Sequence, residues 1–370
     1  MKIAIFTQGF PPNRGGVSNV ITHNIRAIKK LKKDITFEIF TSIPKGPDTF
    51  EGFKVNRFNP KKITVGPKNY RIYPKMIKSV KDCDLVHSHH YGYFPAVAGF
   101  LSAKLSKRPF VFTPHYHPPV YGTFRKILFG AYHFVHGIPL LRSSKRTMPI
   151  TNYEKSRLLK IGAKEKNMKV IPNSLDTDLF KPKEKTKENL VLFVSSMKKE
   201  KGPHHFFNIS QKILNKRKDI KFVMIGSGPL KEKIVKKAKK THPDNYKFLE
   251  NLDLEELIKW YSKAKVKVLP SYYEAFGMVL AEPMACKTPV ISTKVGGVPE
   301  VVKNGKTGYV VDYGEWDEMK EKILKIVDMN KNKYEVMCKK ARKHVVKNFD
   351  YMKVGKQLLN VYKSVLEDKK

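Results

Sequence analysis

At 370 residues the chain is long for one core and fits two domains of ordinary size; an apolar fraction of 41% rules out wholesale disorder. Lys and Arg number 73 against 33 Asp and Glu, a formal charge of +40, so the surface suits an anionic partner: nucleic acid, acidic lipid or a phosphorylated ligand. The three widely spaced cysteines, Cys83, Cys286 and Cys338, exclude a disulfide frame and a cysteine-based zinc module.

MKIAIFTQGF reads as a strand without the charged start and apolar core of a signal peptide. No later run reaches the ~20 apolar residues of a membrane span. A cytoplasmic protein is expected, with peripheral contact at the inner face of the cell membrane left open. Residues 3–7, 36–41, 84–87 and 110–113 then read as buried strands, with a helix over 18–31. After a polar stretch, KEKTKEN, the alternation restarts with strands at 190–195, 222–225, 266–269 and 289–292. Helices are expected over 203–216, 254–263 and from residue 277. Strand–helix alternation implies parallel sheets covered on both faces. The expectation is an α/β protein of two Rossmann-like domains, residues 1–175 and 176–348, with a linker near 174–188. A last helix within 349–370 is expected to pack back on the first domain.

In SYYEAFGMVLAE, Glu274 and Glu282 stand eight positions apart. Were the interval helical, about 12 Å of axis would separate them, beyond the roughly 5–9.5 Å of a glycosidase pair. With Glu274 in a loop, the two bracket a helix start near Gly277, where free N–H groups and the positive dipole end form a phosphate site. Two carboxylates flanking a phosphate fit two clamps on one ligand with hydroxyls at both ends, and a nucleotide sugar has that shape.

The stretch resembles the E-x7-E signature of retaining glycosyltransferases of the GT-B fold, in glycosyltransferase family 4. PPNRGGVSNVI, TPHYHP, IPNSLDTDLF, KKEKG, MIGSGP and STKVGGVPEVVKNGKTGYVV agree with that family in order and span nearly the whole chain. The resemblance implies two domains facing a cleft. It also implies sugar transfer from a nucleoside diphosphate to a hydroxyl acceptor, with no protein nucleophile and no metal cofactor. Glu282 would hold the ribose hydroxyls. Glu274 would face the sugar, with the backbone of Phe276, Gly277 and Met278 receiving sugar hydroxyls and the distal phosphate. Lys201 would pair with the diphosphate, Gly16 would let the backbone approach it, and Gly226 in GSG would belong to the donor site. His115 would lie near the sugar and acceptor. Where the family usually carries Arg, VSSMKKEKG has Ser196, which removes a bidentate phosphate contact; Lys198, Lys199 or Arg14 are the cations at hand to compensate. A smaller departure is Asn173–Ser174, where Asn-Gly is usual.

Taken singly, these signals have bland readings: GGV as a tight turn, GSG as a common feature of any such sheet, His115 as a structural histidine. HSHH with HYH suggests zinc, but histidines alternating on strand ends commonly just line a cleft. The DCD at 82–84 is more simply a helix-to-strand turn than a metal motif. Four other classes compete. A nucleic-acid-binding protein rests on charge alone and lacks a recognition module, so no nucleic acid is expected. A dinucleotide oxidoreductase is disfavoured because QGFPPNRGG is not G-x-G-x-x-G. A glycosidase is disfavoured by the Glu spacing, and a donor-binding homologue without catalysis stays open because of Ser196. For the acceptor, FRKILFGAYHFVHGIPLLRSSKR (124–146) mixes an apolar face with basic flanks. It reads equally as a segment lying on an anionic membrane, serving a lipid-linked acceptor, or as a core helix. Pro139 is expected to end any single helix there.

Overall fold

Val, Ile and Phe crowd the short apolar runs, and in the computed structural model these runs form strands that helices cover on both faces. The structure describes residues 1–13, 15–60, 71–117, 123–184 and 186–368, the side chains of 123–126 and 128 excepted. Arg14, Pro118 of TPHYHP, Lys185 and the side chains of 124–126 thus lie outside the described residues. Two units result, Met1–Ser174 with Tyr351–Lys370, and Leu175–Asp350.

The first unit comprises β1 (Lys2–Thr7), α1 (Gly16–Leu31), β2 (Thr36–Thr41), β3 (Thr49–Phe50), β4 (Phe53–Arg57), β5 (Leu85–His89), α2 (Phe94–Leu105), β6 (Phe110–Thr113), α3 (Thr123–Tyr132), α4 (Ile138–Ser143), β7 (Arg146–Thr147) and α5 (Asn152–Lys160). Its sheet runs β3-β4-β2-β1-β5-β6-β7, parallel except where β3 meets β4. Ile3 pairs with Phe37 on one side and Leu85 on the other, so the strand order reverses between β1 and β5. In such sheets the crevice at the carboxyl ends of the strands, at that reversal, is where ligands bind.

The second unit repeats the plan: β8 (Glu188–Val194), α6 (Pro203–Leu214), β9 (Lys221–Ile225), α7 (Lys231–Thr241), β10 (Tyr246–Leu249), α8 (Leu254–Lys263), β11 (Ala264–Leu269), α9 (Met278–Ala285), β12 (Val290–Thr293), α10 (Val298–Val301), β13 (Gly308–Val311), α11 (Trp316–Val327) and α12 (Lys331–Asn348). Its all-parallel order, β10-β9-β8-β11-β12-β13, reverses between β8 and β11. The final helix, α13 (Tyr351–Glu367), belongs to the first unit, where Val354, Leu358 and Tyr362 share a core with Ile21, Ile25 and Ile28 of α1.

Two expectations change. The stretch from residue 175 is no free linker: Leu175 N–H donates to the Phe349 carbonyl, Phe180 is buried, and Arg342 of α12 donates to the carbonyls of Thr177 and Phe180. Two apolar side chains with a core to enter hold it down. Nor does Pro139 end the helical run, because a π-helical turn at His133–Gly137 joins α3 to α4 and places the proline in the first turn of α4.

Candidate functional site

The loops at the reversal point of the second sheet carry most of the expected donor residues. After β8 comes Ser195, whose N–H donates to the Ile225 carbonyl at 3.1 Å; Met197 N–H donates to Ser227 at 2.8 Å. These bonds interlock the loop holding Ser196 with the loop holding Gly226, whose Cα lies against the Ser195 carbonyl. A single 3-10 turn, Lys199–Lys201, then leads into α6. Lys201 Nζ donates to Glu274 Oε1 at 2.6 Å, and Tyr272 N–H donates to the Glu200 carbonyl at 2.8 Å, so the loops after β8 and β11 are tied twice.

Glu274 is 8% exposed and held from behind as well. Gly297 N–H donates to its carbonyl at 3.0 Å, and a Cβ on Gly296 (φ 55°) would fall 1.9 Å from that oxygen. Only glycine tolerates both that approach and that backbone. Ala275 and a buried Phe276, edge-on to Phe349 at 5.1 Å, lead to Gly277, which N-caps α9. No side chain caps this helix start and no acidic residue sits in its first turn, so its N–H groups and dipole offer a site for an anion. Glu282 lies farther along α9, its Oε2 accepting from the Tyr261 hydroxyl at 2.7 Å. Burial pushes its carboxyl up to about 7, against the pull of that hydrogen bond and of the charge on Lys267. The two glutamates therefore have different partners, Lys201 and Tyr261, and no hydrogen bond links them into an acid/base dyad.

The expected residues of the first unit sit on separate elements. Gly16 opens α1 behind the N-cap Gly15, both exposed, at another helix start with no side-chain cap and no acidic residue. His115 follows β6, at the carboxyl end of the sheet. His87 and His89 point the same way from β5. The His87 ring bonds the Tyr362 hydroxyl at 2.7 Å and Thr113 Oγ1 at 2.8 Å, which also fastens α13 to the sheet. His89 Nδ1 lies 3.3 Å from His115 Nε2 with the two rings stacked at 5.5 Å, and the His90 ring sits tilted 5.3 Å from that of His115. His90 (φ 71°) and His115 (φ 45°) both hold the left-handed backbone region, which costs a residue with Cβ roughly 1–2 kcal/mol; such strain gathers at functional sites. His115 Nδ1 is buried and without a hydrogen-bond partner. Burial drives His89 and His115 well below the ordinary imidazole range and His87 to about 3, so all three are neutral at pH 7. Glu154 braces the loop by accepting from the N–H groups of Tyr116 (2.5 Å) and Ile150 (2.6 Å).

Among the described residues no group of three or more His, Cys, Asp or Glu is placed to hold a metal ion. Asp84 of the DCD stretch accepts from the backbone N–H of Lys2 at 2.8 Å. Sequence reasoning passed over three supports of the site: Tyr261, Gly296 and Lys267. The last is fully buried in β11. Its K-V-K-V surroundings suggest a strand with one wet face, although a central parallel strand is covered on both.

Residues 175–344 match the profile of the glycosyl transferases group 1, and residues 14–179 that of glycosyltransferase family 4. An uncharacterised glycosyltransferase of Methanocaldococcus jannaschii is 28% identical over 83% of this chain and 84% of its own. The alpha-maltose-1-phosphate synthase of Mycobacterium tuberculosis is 23% identical over 99% of this chain and its full length. Among solved structures, sucrose-phosphate synthase from Thermosynechococcus elongatus superposes with a TM-score of 0.80 at 20% identity, covering 99% of both chains. Anabaena HepE, solved with UDP and glucose, gives 0.77 at 18% identity over 98% of this chain and all of its own. At those identities the superpositions establish the fold, GT-B. With two abutting profiles that together run from residue 14 to 344, the chain belongs to group 1 of the glycosyltransferases, family 4.

Proposed function

We propose that the protein transfers a hexosyl group from a nucleoside-diphosphate sugar to an acceptor hydroxyl with retention at the anomeric carbon and without a bound metal ion. The observation that carries this reading is the 2.6 Å Lys201–Glu274 pair beside the uncapped start of α9. In the empty site each group is the other's partner. When the donor enters, Lys201 turns to the diphosphate as a point charge, and Glu274 is released to accept hydroxyls of the sugar. Glu282 takes the ribose hydroxyls; Phe276, Gly277 and Met278 offer backbone groups to the distal phosphate; Gly226 and Ser196 edge the pocket. Gly16 and His115 serve from the first unit, His115 as a neutral imidazole near the transferred sugar.

The bond from the anomeric carbon to the diphosphate oxygen breaks, and its electron pair leaves with the phosphate. The acceptor oxygen bonds to the same face of the carbon and gives its proton to the departing phosphate oxygen, so no protein nucleophile is needed. Lys201 and the α9 N–H groups stabilise the charge that develops there, the effect that dominates such departures. UDP is the first nucleotide to try, since HepE was solved with it.

For the acceptor, a lipid-linked or cell-envelope glycan is supported by one relative named for capsular polysaccharide biosynthesis and by the exposed apolar groups of the run 123–143. Ile127, Phe134 and Val135 are 63%, 73% and 65% exposed on a chain of charge +40, a combination suited to an anionic membrane surface. Among the described residues no helix is long and apolar enough to cross a membrane. The reading places the protein at the cytoplasmic face, held peripherally.

A thermal-shift panel of UDP, GDP, ADP and their sugar conjugates, with and without magnesium, tests the donor. A ligand at 100 times its Kd adds about 2.7 kcal/mol, a rise of several degrees in Tm. The expected result is a magnesium-independent shift for one base. No shift with any nucleotide at millimolar concentration removes the donor site. Binding without turnover on any acceptor marks a homologue that has kept the ligand and lost the reaction.

A further inference from the structure

Arg57 closes β4 at the carboxyl end of the first sheet, and its guanidinium ties together the chain that leaves two neighbouring strands. Nε and Nη2 donate to the Pro47 carbonyl at 2.9 and 2.8 Å, and Nη1 donates to the carbonyls of Ile43 and Lys45 at 3.3 and 3.2 Å. Nη2 also donates to the Pro11 carbonyl at 2.8 Å. Residues 43–47 follow β2 and Pro11 follows β1, so in the order β4-β2-β1 one side chain joins the ends of three adjacent strands.

The need for an arginine lies in the segments it holds. Pro11, Pro12, Pro44 and Pro47 have no N–H, so neither segment can close a ladder of its own, and their carbonyls take donors from elsewhere. A guanidinium offers its N–H groups in a rigid fork, where the lysine ammonium is a point charge on a flexible stem. Among the described residues every hydrogen-bond acceptor of that fork is a backbone carbonyl, so Arg57 fixes the course of the chain. The fit is close: a Cβ on Gly46 would fall 2.5 Å from Pro12 Cδ and 2.9 Å from Arg57 Cζ.

The Pro11 end of this clamp leads to Gly16. Phe10, in the core with Ile21 and Ile25 of α1, anchors the chain just before it. Asn13 N–H donates to the Phe10 carbonyl at 3.1 Å, and the Ser18 hydroxyl, in the first turn of α1, donates to the Asn13 carbonyl at 3.0 Å. Gly15 and Gly16 stand exposed between these holds.

We infer that Arg57 is a positioning residue that sets the course of the loop after β1, so that Gly15 and Gly16 present the start of α1 to the diphosphate. The inference rests on the donor-site reading above, in which Gly16 lets the backbone approach that group. A loop already held does not have to be ordered when the ligand arrives, so the clamp raises affinity without touching the ligand.

Arg57→Lys keeps the charge but can fill few of these bonds. Hydrogen exchange by mass spectrometry should show faster exchange in peptides covering residues 8–17, with those of β5 and β6 unchanged. Calorimetry then compares the nucleoside diphosphate that the thermal-shift panel identifies, UDP first, with its monophosphate. Affinity for the diphosphate should fall about tenfold, the scale of one lost hydrogen bond to a charged group. Affinity for the monophosphate, which lacks the distal phosphate, should stay as in the parent. Gly46→Ala, which drives a Cβ between Pro12 and the guanidinium, should reproduce both effects with Arg57 intact.

Unchanged exchange over residues 8–17 in both variants overturns the inference. Faster exchange there with diphosphate and monophosphate weakened alike, or with neither weakened, also overturns it, because Arg57 would then support the fold and not the approach to phosphate. Faster exchange in the variants of a parent that binds none of UDP, GDP and ADP upholds the clamp and removes the donor-site reading instead.

Discussion

Among the described residues Lys201 and Glu274 form the shortest ion pair of the second unit, 2.6 Å with the carboxylate side chain only 10% exposed. Lys201→Ala should act twice. On the proposed function it strips the diphosphate of a cation at the moment of departure, and removing one such electrostatic contact costs ~10²–10³ in rate. It also leaves a buried carboxylate unpaired in the empty protein, worth about 1–3 kcal/mol of stability. Steady-state rates with the cognate donor and a thermal melt of the empty protein read the two effects separately. Lys201→Arg should restore the melt better than the rate, since a planar fork does not replace a compact charge. A rate unchanged in Lys201→Ala removes the residue from the site. At this scale the sequence singled out Glu274, Glu282 and the glycines around them by chemistry and spacing, and the structure sets Glu274 against Lys201 and Glu282 against Tyr261. Lys267 was not legible. One residue in a strand looks solvated or buried only according to what the chain stacks on it from far away, here α8 and α9.

Among the elements, α13 shows why a helix can be read from its sequence while its docking cannot. Its apolar residues recur at helical spacing, and Tyr351–Glu367 lies within the expected 349–370. What the pattern does not give is Gly355 as a contact. A Cβ built there would lie 2.4 Å from the Cβ of Ala27 on α1, so the two helices approach as closely as they do because no side chain intervenes. Helix propensity predicts that Gly355→Ala stabilises by about 1 kcal/mol; overpacking predicts a loss of about 1–3 kcal/mol. Overpacking should win, lowering Tm, because the nearest atom is a Cβ fixed to backbone and cannot swing away. Calorimetry of the variant decides between the two signs. Similar reasoning separates the strands that were legible from those that were not. β6 (FVFT) is apolar and buried throughout, whereas β10 (YKFL) is broken by a lysine and has no fully buried residue. The π-helical turn at His133–Gly137 was invisible for another reason: it exists to carry a helix past a proline, and the sequence shows only the proline.

For the molecule as a whole, the two-domain plan is legible because the βα alternation stops at a polar stretch and restarts, while strand order is not, since it depends on crossovers that leave no local mark. The same plan leads to a prediction about acid. In the first unit His87, His89, His90 and His115 are neutral, held below the unfolded imidazole value by burial. Below about pH 6.5 the unfolded chain binds protons that the native rings refuse, so stability falls with pH by roughly 1.4 kcal/mol per unit for each. Glu154 works the other way: burial raises its carboxyl to about 7, so its contribution grows as pH falls towards the unfolded value and cancels about one histidine. A net loss of roughly 4 kcal/mol per pH unit remains below pH 6. A domain of ordinary stability, ~5–15 kcal/mol, cannot sustain that for more than a few units. Hydrogen exchange by mass spectrometry between pH 7 and 4 should therefore show peptides of β1, β5, β6 and α13 losing protection together, before those of β8 and β11. The growing net positive charge strains both units as carboxylates protonate, so the order of loss is the informative readout. Simultaneous loss in both units would mean that general repulsion, and not the buried histidines, sets the acid limit.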